Sequence, residues 1–89
     1  MTIKKNYVLR KVANTWIVLP LGAEAVNFGG MLTLNESGAM LWKALKQGGD
    51  RGALVSALTQ EYEVSYEEAC TDVDAFLEKL IQAGCMENP

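Results

Sequence analysis

The chain contains no histidine. That absence removes the commonest general base, the Ser-His and Cys-His nucleophile pairs and most zinc sites, so neither an enzyme nor a metal cofactor is expected. Cysteine is scarce, with only Cys70 and Cys85 present. In a reducing compartment such thiols stay free, and nothing in the sequence sets a cation or base beside either one to activate it. Positive charge is in deficit: eight Lys and Arg stand against eleven Asp and Glu, for a formal net charge of -3. A chain of that sign has no surplus to collect phosphates or anionic head groups, so nucleic acid and membrane surfaces are not expected partners. No apolar run approaches the roughly 20 residues that span a bilayer, and the first seven residues lack the apolar core of a signal peptide. The expected compartment is the cytoplasm.

What the chain does have is 49% hydrophobic residues in a length of 89. That suffices for one small domain over residues 1–89, built on one core. Residues 7–12 (YVLRKV) and 15–19 (TWIVL) are rich in β-branched and aromatic side chains. Separated by Ala13-Asn14, they predict a hairpin. Pro20 has no N–H to donate to a ladder and should end the second strand or lie at its edge. Two short apolar runs follow, residues 25–28 (AVNF) and 31–34 (MLTL). Gly29-Gly30 joins them with a pair that accepts positive φ.

The periodicity then changes to helical. Asn35 is a plausible N-cap for a first helix with Gly38, Leu41, Trp42 and Leu45 on one stripe, stopping at Gly48-Gly49. Asp50 caps a second, carrying Leu54, Leu58 and Tyr62 and ending near Tyr62. Ser65 and Glu68 have the spacing of a capping box at the start of a third, whose apolar face is Ala69, Val73, Phe76, Leu77 and Leu80. Gly84 stands where a left-handed residue closes a helix, with Cys85 able to cover Leu80. Short strands followed by three helices, with no repeat or linker between them, predict an α+β fold.

Chemistry-bearing candidates are few. Asp72, Asp74 and Glu78 all lie on the third helix, but like charges four apart are ordinary on an exposed face, and a hard metal needs further oxygens from elsewhere. Ser37 is where a capping hydroxyl belongs. Trp42 and Trp16 are each a binding aromatic or core, and Trp42, which falls on the apolar stripe, reads as core. Phe28 and Met31 flank the glycine pair, where an aromatic and a thioether can serve a hydrophobic ligand. Residues 31–34 carry none of the lysine, proline or bulge that usually blunts a sheet edge. A partner peptide can complete a sheet at such a strand.

These features together resemble the PqqD-like family of precursor-peptide recognition elements, over Tyr7 to about Met86. The matching stretches are V-L-R and W-I-V-L-P in the hairpin, L-T-L-N-E-S-G-A-M-L-W at residues 32–42, L-x-x-x-Y with Leu58 and Tyr62, and D-V-D-A-F-L-E-K-L-I-Q-A-G at residues 72–84. The resemblance implies a winged-helix-like unit of three short antiparallel strands followed by three helices, to which the residues themselves add the option of a fourth strand at 25–28. It also implies a non-catalytic role: holding the leader segment of a ribosomal precursor peptide for a separate modifying enzyme, often a radical S-adenosylmethionine enzyme. In such proteins the leader adds as a strand to the third strand and lies against the third helix. Carried over by position, the binding residues are Phe28, Met31, Leu32, Thr33 and Leu34 on one side and Val73, Phe76, Leu77 and Leu80 on the other.

Two other readings share the architecture. One is a winged-helix DNA-binding domain, and the other a plain protein-interaction or homo-oligomerisation module. Charge argues against the first, because the helix that would meet phosphates carries Glu67, Glu68, Asp72, Asp74 and Glu78 against Lys79 alone.

Overall fold

The computed structural model describes residues 2–22 and 32–87. The predicted strand over 25–28, the glycine pair, Phe28 and Met31 lie outside the described residues. A two-residue strand, β1 (Thr2–Ile3), opens the chain. The hairpin follows as β2 (Tyr7–Val12) and β3 (Thr15–Pro20), in register from Tyr7 opposite Pro20 to Val12 opposite Thr15. Pro20 takes the last place of its strand, where its missing donor is harmless. The tight turn puts Ala13 at φ 56°. Strand β4 (Leu32–Leu34) then pairs antiparallel with β3, which makes β3 central and β4 an edge in the order β2-β3-β4.

Three helices complete the fold: α1 (Glu36–Lys46), α2 (Arg51–Glu61) and α3 (Tyr66–Ala83). Each starts on the cap that the sequence predicts. Asn35 Oδ1 accepts from Gly38 N at 2.8 Å, Asp50 Oδ1 from Ala53 N at 2.9 Å, and Ser65 Oγ from Glu68 N at 3.1 Å. Only the serine half of the capping box forms, since the Glu68 side chain makes no return bond to the Ser65 backbone among the described residues. Gly84 closes α3 at φ 82°, with its own N–H on Ile81 O and that of Cys85 on Leu80 O.

The short strand β5 (Met86–Glu87) pairs antiparallel with β1, Ile3 opposite Met86. This second sheet of two-residue strands was not expected from the sequence. It is defined by its partner, since neither piece is long enough to show a period.

Alternation and helical spacing converge on one cluster. Tyr7, Val18, Leu32 and Leu34 enter it from the three-stranded sheet, and Leu41, Trp42 and Leu45 from α1. Helix α2 adds Leu54, Val55 and Leu58, and α3 adds Ala69, Val73, Phe76, Leu77 and Leu80. Each large apolar side chain withdrawn from water in this way contributes about 1.5–3 kcal/mol before the entropy of ordering is set against it. Trp42 is core, as its place on the stripe predicts, whereas Trp16 is half-buried, with the Lys43 and Lys11 ammonium groups 4.5 and 5.3 Å from its ring centre.

Candidate functional site

Edge strand β4 and helix α3 diverge enough to leave an open groove of about 760 Å³ between them. Thr33 and Leu34 form its strand wall, and Asp72, Ala75, Phe76 and Lys79 its helix wall. Leu41, Leu58, Tyr62 and Val64 supply apolar lining, while Asn14 and Thr15 of the hairpin turn and Asn35 and Ser37 of the α1 cap supply polar lining. The Ser37 hydroxyl is occupied, donating to Asn35 Oδ1 at 2.9 Å.

Strand geometry decides what β4 offers to this space. Leu32 and Leu34 turn their side chains into the core, and Thr33 turns its side chain out. The β3–β4 ladder comprises three pairs, Trp16 with Leu34, Ile17 with Thr33 and Val18 with Leu32. Hydrogen-bonded and non-bonded pairs alternate in an antiparallel ladder. Leu21 N donates to Asn6 O at 2.7 Å, so counting along the hairpin makes Arg10 and Ile17 a bonded pair, and Ile17, spent on β2, leaves its pair with Thr33 unbonded. The Thr33 N–H and C=O therefore face away from β3, toward the groove. The contact at Thr33 agrees, since Lys79 Nζ reaches over from α3 to donate to Thr33 O at 3.0 Å. The strand carries no lysine of its own, and α3 supplies one to guard its free edge.

The nine residues singled out from the sequence divide sharply. Thr33, Leu34 and Phe76 line the groove. Leu32 and Leu77 are buried in the core, and Val73 and Leu80 are fully buried with 0% exposure, so their side chains support the walls from behind. Phe28 and Met31 lie outside the described residues. Asp72, Ala75 and Lys79 line the groove without having been singled out as binding residues. Their signal was available, because they occupy the flank of α3 next to its apolar stripe.

Of the acidic candidates, Asp74 is committed to Arg51, which donates Nε to Oδ1 at 2.7 Å and Nη2 to Oδ2 at 2.9 Å. That hydrogen bonding, ahead of the charge itself, holds the Asp74 carboxyl below its ordinary range and raises the Arg51 guanidinium. Glu78 accepts from Gln82 Nε2 at 3.1 Å. Both thiols are free; burial pushes Cys85 up to about 11, so it is a protonated packing group at neutral pH.

The arrangement is a backbone-presenting groove beside a helix, on an α+β domain of winged-helix-like form. Within that class the affiliation is specific: the chain belongs to the family of coenzyme PQQ synthesis protein D (PqqD), whose model matches residues 15–86. Two solved structures share the fold. TbiB1 in complex with the TbiA(beta) leader peptide is similar at a TM-score of 0.81 and 24% identity, over 100% of this chain and 98% of that one. Lasso peptide synthetase B1 complexed with the leader peptide is similar at 0.75 and 23%, over 98% and 95%. No curated protein matches the chain in sequence.

Proposed function

We propose that this protein binds the leader segment of a ribosomally made precursor peptide as a strand added to β4, and presents it to a separate modifying enzyme without catalysing a reaction itself. The observation that carries this reading is the orientation of Thr33, whose backbone donor and acceptor face an open groove walled by α3. An extended peptide is the ligand that uses both groups at once, with main-chain bonds giving affinity and alternate side chains giving selectivity. The fold neighbours support it, since both were solved with leader peptides. For the modifying enzyme, a radical S-adenosylmethionine enzyme and a lasso-type synthetase partner are the two classes to try.

The test is titration with a synthetic leader from the precursor encoded beside the gene. We expect a dissociation constant near 1 μM or tighter, equivalent to about -8 kcal/mol. Amide shifts should concentrate on residues 32–35 and 72–79. Thr33→Pro deletes the groove-facing N–H and leaves the β3 ladder intact, so the variant should fold and lose most of its affinity, whereas Thr33→Val should keep it. A Thr33→Pro protein with unchanged circular dichroism and unchanged affinity would show that β4 is not the docking edge.

A further inference from the structure

Groove-lining residues are neutral with two exceptions, Lys79 and Asp72. Neither takes part in an ion pair among the described residues, where the pairs are Lys11 with Glu36 and Arg51 with Asp74. Asp72 makes no hydrogen bond through its side chain there, and Lys79 makes only the one to Thr33 O. The two charges stand seven residues apart on α3, roughly 10 Å along its axis at about 1.5 Å per residue. One wall of the groove thus has a positive end beside the exposed strand acceptor and a negative end two turns away.

An incoming strand changes the position of Lys79 in a definite way. Its N–H competes for Thr33 O, the acceptor that the ammonium holds in the free protein. Once displaced, the ammonium has lost a charge-assisted bond in a space that the peptide is closing to water, and a carboxylate is the group that restores such a bond. At the other end a peptide carboxylate would meet Asp72 and be repelled, whereas a basic side chain would be matched. Extended chain advances about 3.3 Å per residue and turns every second side chain to the same face, so the two wall charges correspond to peptide positions about two or four residues apart.

We infer that Lys79 is a charge-reading latch: it guards Thr33 O in the free protein and, when displaced, pairs with an acidic side chain of the bound peptide, while Asp72 favours a basic side chain about two or four residues away on the same face. The partner class is therefore an extended peptide with an acidic and a basic position in fixed order, and the groove fixes its register and direction by charge as well as by backbone pairing. This inference rests on the peptide-binding reading above and adds the charge chemistry of the ligand.

A random twelve-residue peptide display library, panned on the full chain, tests it. Peptides retained by the parent should share an Asp or Glu at one aligned position. Panning on Lys79→Glu should replace that residue with Lys or Arg, and Lys79→Met should abolish the charge preference while keeping the apolar consensus. An acidic peptide from the parent selection should bind Lys79→Met about three- to tenfold more weakly, as for a partly shielded pair. Lys79 is exposed, so these variants should fold; if Lys79→Glu does not, Lys79→Met and Lys79→Gln carry the same test. Parent peptides with an apolar consensus and no charge preference, or an acidic preference that survives Lys79→Glu, would overturn the latch and leave peptide binding standing. A parent that retains no peptides would overturn both.

Discussion

Ala13 and Gly84 both adopt left-handed backbone, at φ 56° and φ 82°, but only Gly84 has no Cβ to crowd the following carbonyl. Hairpins with a left-handed first turn residue usually place glycine there. Open space surrounds a Cβ built on Gly84, so a side chain at that position meets only its own backbone. The two positions should respond in opposite directions. Gly84→Val should destabilise the protein by about 1–2 kcal/mol, and Ala13→Gly should stabilise it by about 0.5–1 kcal/mol after the greater freedom of glycine in the unfolded chain is counted. Urea unfolding checks both, with the midpoints moving and the slope unchanged.

At the scale of elements, α2 is fastened to α3 by packing of Leu54, Val55 and Leu58 and, at its first residue, by the two-point contact of Arg51 with Asp74. The carboxyl pKa is depressed by that contact. A depressed folded-state value means that the contribution is present above the unfolded value, about 3.9 for Asp, and is lost as pH falls through the folded value. Asp74→Asn should therefore lower the melting temperature slightly at pH 7, and the difference from the parent should close as the pH is taken from 4 to 2. Added salt should shrink it too, because both side chains are exposed. Melting curves at several pH values and two ionic strengths measure this. A difference that persists at pH 2 would mean that Asp74 acts through packing rather than charge.

On the scale of the whole molecule, the ends of the described chain meet. Ile3 and Met86 are opposite one another in the β1–β5 sheet, both buried, and Lys4 N donates to Cys85 O at 3.0 Å. The Tyr7 hydroxyl adds a bond to Gly84 O at 3.3 Å. The N-terminal segment thus seals the core, and Ile3→Ala should cost about 2–3 kcal/mol. In a domain of this size that corresponds to a fall of roughly 10 °C or more in melting temperature. A thermal melt of the variant checks it. Charge is also divided at this scale. Lys4, Lys5, Arg10, Lys11, Lys43 and Lys46 lie in the half before α2, while most carboxylates lie on α2, α3 and the loop between them. The exposed face of α3 is thus acidic overall, which suits the proposed peptide site better than a phosphate backbone.

The hairpin, the three helices and their caps were legible in the sequence because each is set by local physics. Enrichment in β-branched and aromatic residues on either side of Ala13-Asn14 marks β2 and β3, Asn35, Asp50 and Ser65 offer oxygens to free N–H groups at the right offsets, and Gly84 alone tolerates the closing φ. The buried stripe of α3 was readable for the same reason, since Ala69, Val73, Phe76, Leu77 and Leu80 recur at the helical period. Three things were left to the tertiary structure. Strands β1 and β5 exist only through their mutual pairing, across the length of the chain. The direction in which Thr33 points its backbone groups depends on the register with Ile17, which no single strand contains. The identity of the groove wall depends on where α3 meets β4: Asp72, Ala75, Phe76 and Lys79 reach the opening, while Val73 and Leu80 lie behind it in the core. Periodicity reports which residues avoid water, whereas a binding surface is built from what remains beside them, and that is decided only when two elements meet.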